Sequence, residues 1–240
     1  MNNLPIIKIS AVVLLGVLLA GCPGRVRPPP QPAPAPAPTQ PAPGKPEIQG
    51  ATSFIVDPLA SSVNIFVYRG GVMARLGHNH VMTARSLKGE VSLHPQIAQS
   101  RFELEFPVTE LVVDDAQARQ AAGADFPGEI PQKDRDGTRK NMLREEVLDA
   151  DHFPSVRLQS LRVSGTLPSA RVVTRITIKA ASREVDVPVS IVVAGNQLRA
   201  SGQFDIKQSD FGIKPFSIGL GALEVVDQLS IEFKVVAQKQ

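Results

Sequence analysis

Leu229-Ser230-Ile231-Glu232-Phe233-Lys234-Val235 alternates apolar and polar side chains without a break. A period of two belongs to a strand with one face on a core and the other in water. The same reading extends outward to Phe102, Leu104 and Phe106, which alternate with Glu103 and Glu105, and to Val63, Ile65 and Val67, which are separated by Asn64 and Phe66. Leu198 to Ile206 and Val185 to Val193 follow the same pattern. Gly89, Gly165, Gly195-Asn196 and Gly202 punctuate these runs as turns or bulges, with Gly195-Asn196 placed for a hairpin and Gly219-Leu220-Gly221 for a bend before the last strand.

Helical signals are confined to the middle of the chain. Asp114-Asp115 can cap Ala116 to Ala122, which stops at Gly123, and a second short helix is expected from about Thr138 to Val147. The fold class that follows is all-β, mainly antiparallel: a barrel of about eight strands over residues 51–240 with a short helical insertion near 114–150. Closure removes the sheet edges that such a body would otherwise expose.

The 240 residues hold 26 basic and 23 acidic side chains, but the excess is confined to the start. Lys8, Arg25, Arg27 and Lys45 stand there against Glu47 alone, so residues 48–240 carry 22 of each sign. A neutral body with no Trp and one Tyr has neither the cationic footprint nor the stacking platforms of a nucleic-acid binder. The single Cys excludes an intramolecular disulfide framework and four-thiolate zinc modules.

Residues 1–21 place Lys8 before an apolar run from Ile9 to Ala20, too short to span a bilayer comfortably and suited to a signal-peptide core. Leu18-Leu19-Ala20-Gly21-Cys22 resembles the bacterial lipoprotein box, which implies lipidation of Cys22, diacylglyceryl and palmitate-type chains included, and anchorage to a membrane. Pro23 stands where Asp would signal retention at the inner membrane, so the expected location is the outer membrane, facing the periplasm. Residues 22–50 then form a tether holding 11 of the 21 prolines. As a polyproline-II-like spacer at about 3.1 Å per residue, it can hold the body up to about 85 Å away.

His78-Asn79-His80 is the most chemical-looking feature of the body, because His at i and i+2 on a strand share a face and can grip a metal. A site needs further donors, for which His94, His152, Asp149 and Asp151 are available; the blander reading is a polar pair at a barrel mouth. Asp114-Asp115 and Glu145-Glu146 are explained by capping and a solvated helix face, and the basic residues between Lys133 and Arg144 by a solvated helix. Asp210-Phe211-Gly212 lacks the phosphate loop that would give it kinase meaning, and no Gly-x-Ser-x-Gly elbow is present. No catalytic residue is expected, and no cofactor beyond a bound polyisoprenoid or quinone-type lipid. A barrel filled by Val, Ile, Leu and Phe either packs solid, as an envelope scaffold, or encloses an apolar hole that suits a long aliphatic chain. The inward-facing candidates are Ile65, Val67, Phe102, Leu104, Phe106, Ile176, Ile178, Phe204, Ile231 and Phe233, with parity as the deciding step, since a one-residue slip turns each outward.

Several separated stretches carry a resemblance. They are Phe54-Ile55-Val56-Asp57 with Ser62-Val63, Leu87-Lys88-Gly89-Glu90-Val91, Asn141-Met142-Leu143 through Leu148-Asp149-Ala150-Asp151 to Phe153-Pro154-Ser155-Val156, Ile176-Thr177-Ile178 through Val185-Asp186-Val187-Pro188-Val189, and Ser209-Asp210-Phe211-Gly212-Ile213. In order and spacing they resemble the YceI-like lipid-binding family of bacteria over residues 53–236. The resemblance implies a lipocalin-like barrel with an elongated apolar cavity for a polyisoprenoid or similar amphiphile, acting without catalysis. The segment from Arg69 to His80 departs from the commoner family pattern, and its histidines leave the ligand's head group, or a metal, as the open question.

Overall fold

The computed structural model describes residues 48–240. The signal segment, Cys22 and all but the last residues of the tether lie outside the described residues. Among the described residues, no helix is long and apolar enough to cross a membrane.

Twelve strands form one antiparallel sheet: β1 Thr52–Val56, β2 Ser62–Gly70, β3 His80–Ala84, β4 Lys88–Leu93, β5 Arg101–Pro107, β6 Val112–Val113, β7 Ser155–Thr166, β8 Ser169–Ile178, β9 Ala181–Ala194, β10 Gln197–Lys207, β11 Ser217–Ile218 and β12 Leu223–Lys239. The path β1-β4-β5-β7-β8-β9-β10-β12 closes on itself because β1 also pairs with the end of β12, Phe54 opposite Lys239 and Val56 opposite Ala237. The result is a closed eight-stranded barrel. β2 continues β1 along β12, with Lys234 opposite Ser62 and Glu224 opposite Gly70, and β3 and β6 extend the sheet beyond β2.

Alternation decides which side chains enter. Along β8, Ala170, Val172, Thr174, Ile176 and Ile178 are buried while Arg171 and Arg175 between them are exposed. The run at 229–235 lies within β12, and those at 63–67, 102–106, 185–193 and 198–206 lie within β2, β5, β9 and β10. Gly195-Asn196 joins β9 to β10 as a two-residue loop with Ala194 opposite Gln197. Only Gly195 of the two has a positive φ, +58°, as a turn with glycine at its first central position requires. Residues 219–221 turn β11 back onto β12, as the glycine spacing predicts.

The helical insertion lies between β6 and β7. α1, Ala116–Ala121, starts on Asp115, whose carboxylate accepts from the N–H groups of Gln117 and Ala118. The second helix corrects the sequence expectation: α2 spans Gln132–Leu143, beginning and ending earlier than Thr138 to Val147. Pro131, at φ −53°, sets the entry, and Gly137 is carried inside the helix at a cost of about 1 kcal/mol relative to Ala. At the other end Arg144 is extended, and Leu148 N–H and Ala150 N–H return to the carbonyls of Met142 and Leu143. This turn lays Val147 and Leu148 against the barrel core together with Met142.

Candidate functional site: an apolar barrel cavity with a polar end

The barrel encloses a cavity of about 380 Å³. All ten inward candidates line it: Ile65 and Val67 from β2, Phe102, Leu104 and Phe106 from β5, Ile176 and Ile178 from β8, Phe204 from β10, and Ile231 and Phe233 from β12. Registers explain their convergence. Ile65, Ile231 and Phe204 face one another across three adjacent strands, and Leu104 lies opposite Leu158, itself opposite Ile176. Phe204 and Phe233 meet with ring centroids 6.2 Å apart. Six of the ten, among them Ile65, Leu104 and Phe204, are only partly buried although they face inward, because the space in front of them is unfilled. The barrel is therefore not packed solid.

The ends of the cavity differ. At one end Val163, Ala170 and Val172 form a small secondary core with Ile97 and Phe102 packed against it. Toward the other, Thr138, Asn141 and Met142 of α2 cover the space, and beside them Arg69, Gly77, His78, His80 and Glu224 line its wall.

His80 opens β3 opposite Val67, an inward position, so its ring faces the cavity. His78 lies outside the strand, in the preceding loop, yet its ring stands edge-on to that of His80 with centroids 6.2 Å apart. Behind His80 lies a network absent from the sequence reading. Its Nδ1 is 2.6 Å from Oδ2 of Asp114, whose Oδ1 accepts from Val81 N–H at 3.0 Å and from Arg119 Nη1 at 2.7 Å. Asp114 is fully buried and is not a helix cap; Asp115 alone holds that role. Burial alone would raise the Asp114 carboxyl, but the hydrogen bonds from His80, Val81 and Arg119 outweigh it and hold the group below its ordinary range. Arg119, also buried, donates further to the carbonyls of Asn79, Pro127 and Gly128. Its guanidinium lies 5.9 Å from the Phe126 ring centroid. A buried ion pair is tolerated when its remaining hydrogen-bonding capacity is met in this way.

This arrangement fixes the imidazole. Nδ1 is committed to the carboxylate, and Nε2 has no protein partner among the described residues, so the ring offers a free polar atom at the polar end of a mainly apolar space. Of the further metal donors considered from sequence, Asp149 lies 2.7 Å from His152 Nδ1, and His94 Nδ1 accepts from Gln96 N–H. Among the described residues, no three His, Cys, Asp or Glu side chains gather as a metal site would require.

Leu158 and the Asp114–Arg119 pair were not singled out from sequence. β7 shifts register between Ser160 and Arg162, so its inward residues change parity from Val156 and Leu158 to Val163 and no single alternation is visible. Asp114 adopts φ +53°, and the contact it makes spans 34 residues, which no local pattern signals.

Among known protein families, the YceI-like domain matches residues 54–237. The chain belongs to that family. Similar folds also appear among solved structures. BcnA of Burkholderia cenocepacia superposes with a TM-score of 0.56 at 19% identity, covering 76% of this chain and 99% of that one. A polyisoprenoid binding domain from Saccharophagus degradans, implicated in plant cell wall breakdown, superposes with a TM-score of 0.52 at 10% identity, covering 79% and 99%. At these identities the likeness is one of fold. No curated protein matches the chain.

Proposed function

We propose that this YceI-like barrel is a non-enzymatic carrier or store for a long-chain, isoprenoid-like amphiphile. Its chain lies in the cavity and its head group at the end marked by His78, His80 and Arg69. The observation that carries the reading is the unfilled apolar interior of about 380 Å³, with one oriented imidazole at its end. Each methylene buried there contributes about 0.8 kcal/mol, so a stretch of about ten offsets much of the 4–15 kcal/mol that association costs. The polyisoprenoid-binding description of the Saccharophagus domain supports the same class of ligand. His80, held by Asp114, then serves as a fixed hydrogen-bonding partner for the head group. In this reading the barrel is carried at the cell envelope by a lipidated Cys22 and the proline-rich tether, at the outer membrane facing the periplasm; the resemblance of Leu18-Leu19-Ala20-Gly21-Cys22 to the lipoprotein box supports it.

Organic extraction of the purified protein followed by mass spectrometry tests this. A stoichiometric long-chain lipid is the expected result. A clean extract, together with failure to take up a fluorescent long-chain probe, overturns the proposal.

A further inference from the structure

Two loops stand at the polar end of the cavity and pack on one another. One, residues 71–77, leaves β2; the other turns from β11 into β12. Met73 N–H donates to Ala222 O at 2.7 Å. Gly71, at φ +85°, passes so close to the second loop that a Cβ there would lie 2.4 Å from Gly221 O. The loops thus form a single rim, and Gly77 and Leu223 within them line the cavity, so rim and mouth are continuous.

The rim's outer surface is apolar. Val72, Met73, Leu76, Ile218 and Leu220 are exposed there, Val72 at 90% and Leu220 completely. With Val226 at the base, they are six of the thirteen exposed large apolar side chains among the described residues. Scattered single residues of this kind need no explanation, but a cluster at a cavity mouth does. The charged side chains within residues 71–77 and 214–223 are Arg75 and Lys214, both exposed; the nearest carboxylate along this stretch, Glu224, follows at the start of β12, beside Gly70 and on the cavity wall. Apolar side chains flanked by cations match the boundary between acyl chains and anionic head groups.

We propose that this rim is a membrane-docking surface: Val72, Met73, Leu76, Ile218 and Leu220 enter the interfacial layer of a bilayer, with Arg75 and Lys214 on its anionic head groups. The purpose assigned to it rests on the lipid-carrier reading, because a mouth pressed to the bilayer lets an apolar chain enter or leave without crossing water. The docking itself does not depend on that cargo.

The test uses the full chain with Cys22→Ser, which removes its only thiol, and a single environment-sensitive label introduced by Leu220→Cys or, separately, Leu76→Cys. The control label sits at Leu59→Cys, 97% exposed at the opposite end of β2, about 30 Å away along the strand. With phosphatidylcholine vesicles containing one-third phosphatidylglycerol, the labels at 220 and 76 are expected to shift to the blue and to be quenched by spin-labelled lipid, while the label at 59 does neither. Arg75→Glu with Lys214→Glu is expected to lower the shifted fraction about tenfold. The proposal is overturned by labels at 220 and 76 that do not respond, or that respond no more than the one at 59. A shift that needs no vesicles and rises with protein concentration also overturns it, by showing a second copy of the chain as the occupant. Lipid extraction is scored on the same preparations, so a rim that fails to dock and a cavity that fails to bind are seen separately.

Discussion

His80 and Asp114 are 34 residues apart in sequence and 2.6 Å apart in the fold, with the imidazole on the cavity side and the carboxylate wholly out of water. A carboxylate in that position has its negative charge balanced only by what touches it, and Arg119 is the cation that does so. Asp114→Asn removes the charge, keeps the size and leaves Arg119 buried without its counter-ion. Breaking one side of a buried pair costs about 3–5 kcal/mol. Chemical denaturation is expected to show a loss of that order, with an unchanged slope on denaturant if the denatured state is the same.

The same carboxylate sets a pH dependence. Burial raises the Asp114 carboxyl and the hydrogen bonds from His80, Val81 N–H and Arg119 lower it further than burial raises it, so the folded value lies below the ordinary 3.8. The native state then binds fewer protons than the unfolded chain in that range. This contribution to stability is complete above the ordinary value and is lost as the pH falls through the folded one. An acid titration of stability is expected to fall steeply below about pH 4 in the parent and less steeply in Asp114→Asn. Equal acid limbs in the two proteins would exclude Asp114 as the source.

Much of the barrel is legible in the sequence because one face of each strand meets water. Lys234 and Glu232 on β12, like Arg171 and Arg175 on β8, have to face out, and their apolar neighbours therefore face in. The cavity wall follows from the same parity, which is why Ile65, Phe204 and Ile231 are legible as inward-facing from the sequence alone. Legibility ends where the period breaks or where a contact is long-range. The shift between Ser160 and Arg162 hides Leu158, and Asp114 looks like its neighbour Asp115 until the fold separates a cap from a buried counter-ion. The volume of the hole is likewise a sum over strands that no single stretch contains.

Leu158 stands on the cavity wall between Leu104 and Ile176 and is only partly buried. Leu158→Trp adds bulk into existing space rather than into a filled core, so the strain that usually follows overpacking is small. Bound lipid per barrel is expected to fall at least about tenfold, which is about 1.4 kcal/mol of binding, while the far-ultraviolet circular dichroism and melting temperature stay near those of the parent. Unchanged lipid content would place the ligand away from this wall.

Two phenylalanines separate packing from lining. Phe54 on β1 is 2% exposed within the main core, opposite Val91 on β4 and Lys239 on β12, at the seam where the ring closes. Phe204 on β10 faces the hole and is only partly buried, with Ile231 across from it and the Phe233 ring 6.2 Å away. Phe54→Ala leaves a new void among atoms that held the ring on all sides, at a cost of about 3–5 kcal/mol. Phe204→Ala enlarges a space that is already there, and the side chain it removes had fewer partners to lose, so its cost falls below that range. Equilibrium denaturation of the lipid-free proteins is expected to rank Phe54→Ala as the more damaging, and lipid loading is expected to rank Phe204→Ala as the more altered. The reversed order in both assays would mean that Phe204 belongs to a packed core and that the interior is filled.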